Sequence, residues 1–299
     1  MSQPEEQVSL MNSQMRMNLE SLVDRHGLTQ FKDELLSQAK TAAALIPGRK
    51  SVEALRPSQS KLGGKPDAPQ NFVWPTKDEK PLSFIAQINL CDVPALEGAQ
   101  LPNCGLLSFF YNNEVWGFDP NDKGGFQVFY FENEIDHLKA HLPPPAKTEK
   151  KLFGIFSKSV AVLEYSSCPL TAELALTLPY ELKGIALSEE ETDKYYDLLE
   201  AIGGHHRLLG HAEPIQNEME LECELVTNGL YCGDSTGYND PRAKKLEKSS
   251  DRWNLLLQID SEDEAEMMWG DAGRLYFCIR AEDLANRQFS NCWMISQCY

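Results

Sequence analysis

Apolar residues first recur at helical spacing and later alternate with polar ones along the chain. The helical stripe starts at Leu19, breaks at Gly27 and continues to Ile46, and it predicts two short helices joined by a turn. We therefore expect residues 1–50 to form an N-terminal helical segment and residues 51–299 to form one α+β domain rich in antiparallel strands.

Alternation of the strand type begins at residues 82–90, which predict a mostly buried strand with polar side chains on one side. Three more strands are expected at residues 105–111, 114–118 and 126–131, separated by turn-forming residues. The short connections predict an antiparallel meander in which the segments 105–111 and 114–118 form a hairpin.

The second half of the chain carries its own set of elements. Residues 160–165 predict a strand, and residues 188–202 predict a helix, because Ser188 and Glu191 have the spacing of a capping box. Residues 228–250 are polar and predict an exposed insertion loop, and residues 292–298 predict a terminal strand.

Two stretches of the chain repeat one order of motifs. Gln87 lies 171 residues before Gln258 in a similar strand, and Gly105 lies 168 residues before Gly273 ahead of the next strand. A third pair, residues 62–66 and 209–214, repeats at an offset of about 146. We interpret this order as an internal duplication, with copy one at about 60–150 and copy two at about 205–299. The core and any site are then expected where the copies meet.

Composition narrows the classes of function. The 299 residues are 42% hydrophobic, which is enough to bury a sizeable core. The net charge of −17 disfavours nucleic acid and anionic membranes as partners and allows a basic protein partner. Eight cysteines without a Cys-x-x-Cys pair, and an N-terminus without a signal-peptide pattern, predict a reduced, cytoplasmic protein with no metal or cofactor site.

Polar side chains in the repeated strands are the first candidates for a ligand cleft. Gln87 and Asn89 project from one side of their strand, as Gln258 and Asp260 do in the other copy. They could line a cleft between the copies, or they could bind turn backbone and hold the local fold. Further candidates are turn and loop residues of the second copy: His211, Gln216, Trp269 and Asp271.

The histidines at positions 205, 206 and 211 lie close together in sequence, but no carboxylate or cysteine at ligand spacing completes a zinc site. The acidic run 260–266 lacks the pattern of a calcium-binding loop and is expected to face water. We find no nucleophile elbow, phosphate-binding glycine loop or zinc-protease motif.

Several of these segments together resemble a known family. The segments 62–66, 81–90, 209–216 and 253–299, in this order, are similar to the YwqG-like family of bacterial proteins, a domain of unknown function, over roughly residues 50–299. The resemblance implies a duplicated α+β fold and brings no reaction, cofactor or catalytic residue.

Three functions stay open at this point. The first is a noncatalytic module that binds a protein or small ligand between the copies. The second is an enzyme whose carboxylates and histidines meet there, with these residues: Gln87, His205, His211, Asp260 and Asp271. The third is a structural subunit that forms a homodimer through a strand edge, so the oligomeric state is unknown.

Overall fold

A computed structural model describes residues 3–51, 55–145, 147–149, 158–160 and 162–299, with the side chains of 3–12, 147–149 and 158–160 left out. The fold is α+β, with an antiparallel sheet of ten strands and helices around it. The sheet strands are β1 (Lys40–Pro47), β2 (Lys61–Leu62), β3 (Ser83–Asn89), β4 (Leu106–Tyr111), β5 (Phe126–Phe131), β6 (Cys168–Thr177), β7 (Arg207–Leu208), β8 (Trp253–Asp260), β9 (Arg274–Arg280) and β10 (Trp293–Gln297).

The described helices and minor strands connect these elements. The α-helices are α1 (Gln3–Arg25), α2 (Lys32–Gln38), α3 (Glu189–Ile202), α4 (Glu220–Thr227), α5 (Ser235–Tyr238), α6 (Ala243–Leu246) and α7 (Ala281–Ala285). Three small antiparallel pairs join Asp67–Ala68 to Lys139–Ala140, Thr76–Lys77 to Lys80–Pro81, and Lys147–Glu149 to Lys158–Val160.

The two sides of the sheet have the same arrangement of strands. It runs β10-β9-β8-β7-β1-β6-β2-β3-β4-β5, so the central pair β1–β6 is flanked on each side by a two-residue strand and a three-stranded meander. Strand β1 is a central strand although its alanines would favour a helix, because its backbone bonds to β6 on one side and to β7 on the other.

The register also matches between the two sides. Ala43 of β1 pairs with Leu208 of β7, and Cys168 of β6 pairs with Leu62 of β2. The register of β8 against β9 shifts between Leu255 and Leu257, and that of β3 against β4 shifts between Phe84 and Ala86. A bulge thus lies at the same point of both meanders.

The sheet is nearly closed, because its two edges approach each other. The loop after β4 reaches edge strand β10, where the Trp116 carbonyl accepts from the Ser296 N–H at 2.9 Å and the Trp293 indole donates to the Gly117 carbonyl at 2.7 Å. Side chains of the two meanders meet inside the curve, as the ring centroids of Phe109 and Phe277 lie 5.1 Å apart. One large apolar core therefore serves both meanders.

A second apolar cluster holds the N-terminal helices against the sheet. Leu19 and Val23 of α1 pack with Leu35 of α2 and with Tyr195 and Leu198 of α3. Helix α3 begins as predicted, because Ser188 and Glu191 form a capping box, and it ends at Gly203.

Four element predictions are wrong. The helical pattern predicted through Ile46 ends at Gln38, because the residues of β1 pair with β6 and β7 as a strand. Residues 114–118 form no strand but cross the edge of β10, and the hairpin is formed by β4 and β5. Of the strand predicted at 160–165, residues 162–165 form no strand, residue 161 lies outside the described residues, and β6 instead starts at Cys168. The loop 228–250 contains α5 and α6.

Candidate functional site

In the second half, Gln258 fastens a loop to strand β8. Its Oε1 accepts from the Glu213 N–H at 2.9 Å, and its Nε2 donates to the His205 carbonyl at 2.8 Å. The side chain is fully buried. Both ends of the amide therefore bind backbone groups, as a structural role requires.

Gln87 makes the same pair of bonds in the first half. Its Oε1 accepts from the Asp67 N–H and its Nε2 donates to the Gln59 carbonyl, both at 2.9 Å. The two loop partners of Gln87 each lie 146 residues before the partners of Gln258, since 213 − 67 and 205 − 59 both equal 146. A buried glutamine therefore binds a loop to the sheet in the same way in both halves.

An ion pair accompanies each glutamine, fully buried in the first half and partly buried in the second. Lys61 Nζ lies 3.0 Å from Asp67 Oδ2, and Arg207 Nη2 lies 3.0 Å from Glu213 Oε2. The second pair is again 146 residues after the first. The Arg207–Glu213 pair extends into a larger charged cluster, because Arg274 of β9 also contacts Glu213, with Nη1 at 3.1 Å from Oε1.

This charged cluster joins His205, Arg207, Glu213, Asp260 and Arg274. Arg274 Nε donates to Asp260 Oδ2 at 2.8 Å, and its Nη2 lies 3.1 Å from His205 Nδ1. His205 Nδ1 also lies 3.4 Å from Glu213 Oε2. Neutral imidazole can accept from Arg274 at this nitrogen, whereas imidazolium donates to Glu213, so protonation of His205 exchanges one partner for the other.

The pKa shifts in the charged cluster follow from these contacts. The hydrogen bond to Glu213 raises the pKa of His205, although partial burial opposes the rise. Burial by itself disfavours ionisation of Glu213, but His205, Arg274 and Arg207 together outweigh it and lower the pKa of Glu213. Glu213 is therefore ionised at neutral pH and balances the guanidinium groups.

His206 borders that cluster and His211 lies outside it. His206 Nδ1 accepts from the Asp260 N–H at 3.1 Å while Nε2 lies 3.2 Å from Glu262, and burial lowers the pKa of His206. His211 Nε2 lies 2.8 Å from the Gln38 carbonyl, and burial, assisted by Lys40, lowers the pKa of His211 to about 4. The two imidazoles serve as neutral hydrogen-bonding groups of the fold.

The remaining predicted residues lie at turns. Asn89 Oδ1 accepts from the Cys91 N–H, and Trp269 is buried with its indole donating to the Asp260 carbonyl. Gln216 donates to the Cys298 carbonyl from an exposed position. Asp271 is exposed and accepts from the Tyr299 N–H through its own backbone carbonyl.

A groove of about 1140 Å³ opens where α1, β1 and the loop after β3 meet the second meander. Its volume lies just above the range of ligand pockets, which is roughly 300–1,000 Å³. Aliphatic side chains form the larger part of the lining, and the rest includes polar and charged side chains such as Arg16, Lys40 and Glu97. The apolar lining residues are Leu36, Ala39, Ala95, Leu96, Ala99, Leu176, Leu209, Leu255, Ala281 and Leu284.

The corresponding place on the other side of the sheet is filled. By the register of the central strands, Lys40 at the start of β1 corresponds to Tyr165, three residues before Cys168. The Tyr165 ring packs on Trp269 with centroids 5.4 Å apart, and Trp269 also contacts Tyr111 at 5.9 Å. Aromatic rings therefore occupy the space on that side, and the groove on the Lys40 side is open.

Leu209 lines the groove in a strained backbone conformation. Its φ of 60° lies in the left-handed region, where a residue with a Cβ is disfavoured, and the corresponding residue of the first half is Gly63, with φ of 57°. A Cβ at Gly63 would lie 2.3 Å from the Ser166 carbonyl oxygen. The second half thus keeps a leucine side chain at a position where the first half has no room for one.

Comparison with known proteins identifies the family of the chain. The model of a domain of unknown function, DUF1963, matches residues 60–298, most of the chain. The chain belongs to this YwqG-like family. No curated protein matches it.

The groove of this YwqG-like protein was not predicted from the sequence. None of the eight predicted cleft residues lines it; Gln87, Gln258, Asp260 and His211 instead hold loops or the charged cluster. The nearest sequence signal is the Leu209–Gly210 pair, which belongs to the repeat. Its left-handed leucine could not be inferred from residue types alone.

In the described ranges, no group of three or more histidine, cysteine, aspartate or glutamate side chains is arranged to hold a metal ion. Across the same residues, none of the helices has both the length and the apolar character needed to cross a membrane. All eight cysteines are free thiols.

Proposed function

We propose that this YwqG-like protein is a noncatalytic binding module that holds an apolar ligand in the groove between the two halves of its sheet. The observation that carries the proposal is the open, aliphatic groove beside Leu209, at a place that Tyr165 and Trp269 fill on the other side. Strained residues persist where the surrounding structure enforces them and are common at ligand sites.

Helix α7 offers a matched pair of substitutions to test this function. Ala281 and Ala285 are both exposed on α7, but only Ala281 lines the groove. With dodecan-1-ol as the probe, titration calorimetry should show binding to the unaltered protein and to Ala285→Trp. Ala281→Trp should bind at least about ten-fold more weakly, because the indole takes up apolar volume.

Two results would contradict the proposal. Absence of dodecan-1-ol binding to the unaltered protein would remove the groove as an apolar ligand site. A dimer that Ala281→Trp dissociates, seen by light scattering, would assign the groove to a second copy of the chain instead.

We further infer that the halves are copies of one ancestral unit. The repeated strand order, the shared bulge position and the glutamine-held loops support this origin. Superposition of residues 59–131 on 205–297 should place Gln87 on Gln258, and failure of the two strands to coincide would contradict it.

A basic protein is the second kind of partner we propose, since a net charge of −17 favours cations and repels nucleic acid. Capture from lysate in low salt and release in high salt would support it, and capture that does not depend on salt would contradict it.

The free state of all eight cysteines supports the reducing cytoplasm as the location.

One observation supports an enzyme as the alternative. His205 is half exposed, and its Nδ1 faces Glu213, an arrangement in which a carboxylate orients an imidazole for proton transfer. Hydrolysis of an ester or phosphoester from a substrate panel by the unaltered protein, lost in His205→Gln, would support the enzyme. Equal background rates for both proteins would contradict it.

A further inference from the structure

Cations outnumber carboxylates in the groove lining, whereas carboxylates outnumber cations in the whole chain. Arg16 and Lys40 contribute two cations to the lining, and Glu97 contributes one carboxylate. The whole chain has 28 lysines and arginines against 45 aspartates and glutamates. An excess of cations beside an aliphatic surface on so acidic a protein points to a ligand that carries negative charge.

Lys40 is the cation whose surroundings favour an added anion most clearly. Partial desolvation of its ammonium group lowers the pKa of Lys40, although the residue as a whole is exposed, with Glu220 opposing the shift and Lys183 adding to it. Within the described residues Lys40 forms no ion pair, whereas Lys32 and Lys50 each do. A carboxylate beside Lys40 would stabilise its ammonium group in these surroundings.

Arg16 can join Lys40 at little cost. It lies on α1 and contacts Glu20 at 3.6 Å in a pair whose two side chains are 60% and 37% exposed. Exposed pairs of this kind contribute at most about 1 kcal/mol, so the guanidinium can turn towards a ligand without a large loss of stability.

We infer that the ligand of the groove is an amphiphile with an acidic head group. Its head lies beside Lys40 and Arg16, and its apolar chain lies along Leu255 and Leu284. This inference rests on the proposed binding function and names the chemical class of the ligand.

Three probes with one alkyl chain and different head groups separate the two levels of the proposal. Dodecanoate is anionic, dodecan-1-ol is neutral and dodecyltrimethylammonium is cationic, and all are titrated below the concentrations at which they form micelles. We expect dodecanoate to bind about ten-fold more tightly than dodecan-1-ol, because an ion pair at a partly desolvated site adds about 1.4 kcal/mol. The cationic probe should bind most weakly.

Matched substitutions locate the charge that selects the head group. Lys40→Met keeps the apolar stem and removes the cation, so the preference for dodecanoate should fall to about two-fold or less. Lys183→Met removes one cation from the same neighbourhood but outside the groove lining, and the preference should stay within a factor of about two of the unaltered value. Both variants should keep the unfolding midpoint of the unaltered protein, since both side chains are exposed.

Three results would each overturn a different part of the proposal. Equal affinity for dodecanoate and dodecan-1-ol overturns the acidic head group and leaves the apolar groove in place. An equal loss of preference in Lys40→Met and Lys183→Met overturns the assignment to the groove cations. Failure of all three probes to bind overturns the proposed function itself.

Discussion

At the scale of single residues, burial decides what the histidines can do. His211 lies near Lys40 with its Nε2 at 2.8 Å from the Gln38 carbonyl, and burial lowers its pKa from 6.5 to about 4. In the unfolded chain the same imidazole regains its ordinary pKa. The folded state therefore binds fewer protons than the unfolded state between these values, and its stability falls as the pH falls through that window.

We expect His211 to account for about 2 kcal/mol of the stability lost between pH 7 and pH 5. His211→Gln keeps an N–H donor for the Gln38 carbonyl but cannot be protonated. Denaturant unfolding at both pH values should show that the variant loses about 2 kcal/mol less than the unaltered protein. The same loss in both proteins would contradict the assignment, because His205 and His206 are present in each.

At the scale of elements, buried glutamines connect loops to strands. Gln258 and Gln87 each bind two backbone groups from loops that would otherwise leave the sheet. Both side chains are fully buried, so a replacement that cannot form hydrogen bonds leaves backbone donors and acceptors unpaired.

Gln87→Leu and Gln258→Leu should each lower the free energy of unfolding by about 2–6 kcal/mol, from two buried groups at about 1–3 kcal/mol each. The exposed Gln70 provides the control, since Gln70→Leu should change stability by no more than about 0.5 kcal/mol. Urea unfolding of the three variants measures these differences. A cost at Gln258 no larger than at Gln70 would show that the loop does not depend on the amide.

Elements also show what the sequence could and could not predict. Strands β3 and β10 follow from alternation and α3 follows from its capping box, because these signals are local, and β8 follows from its likeness to β3. Strand β1 was missed because its alanines favour a helix in isolation, and only its pairing with β6 and β7 makes it a strand. The groove was missed for a similar reason, since its leucines and alanines come from separate segments and carry no motif.

At the scale of the whole molecule, β1 connects the two halves. It pairs with β6 on one side and with β7 on the other, although it lies before the segment 60–298 that the family model matches. A fragment limited to the matched segment would lack the strand at the middle of the sheet. It would expose the edges of β6 and β7 and the apolar core side chains that pack against Ala43 and Leu45 in the whole protein.

Two truncations separate the contribution of β1 from that of the helices before it. Deletion of residues 1–39 removes α1 and α2 but keeps β1, and we expect a destabilised protein with one cooperative unfolding transition. Deletion of residues 1–47 removes β1 as well, and we expect no cooperative transition, because the halves lose the backbone pairing that joins them. Near-ultraviolet circular dichroism during urea unfolding measures both. A cooperative transition in fragment 48–299 that matches fragment 40–299 would show that the halves associate without β1, through the core in which Phe109 meets Phe277.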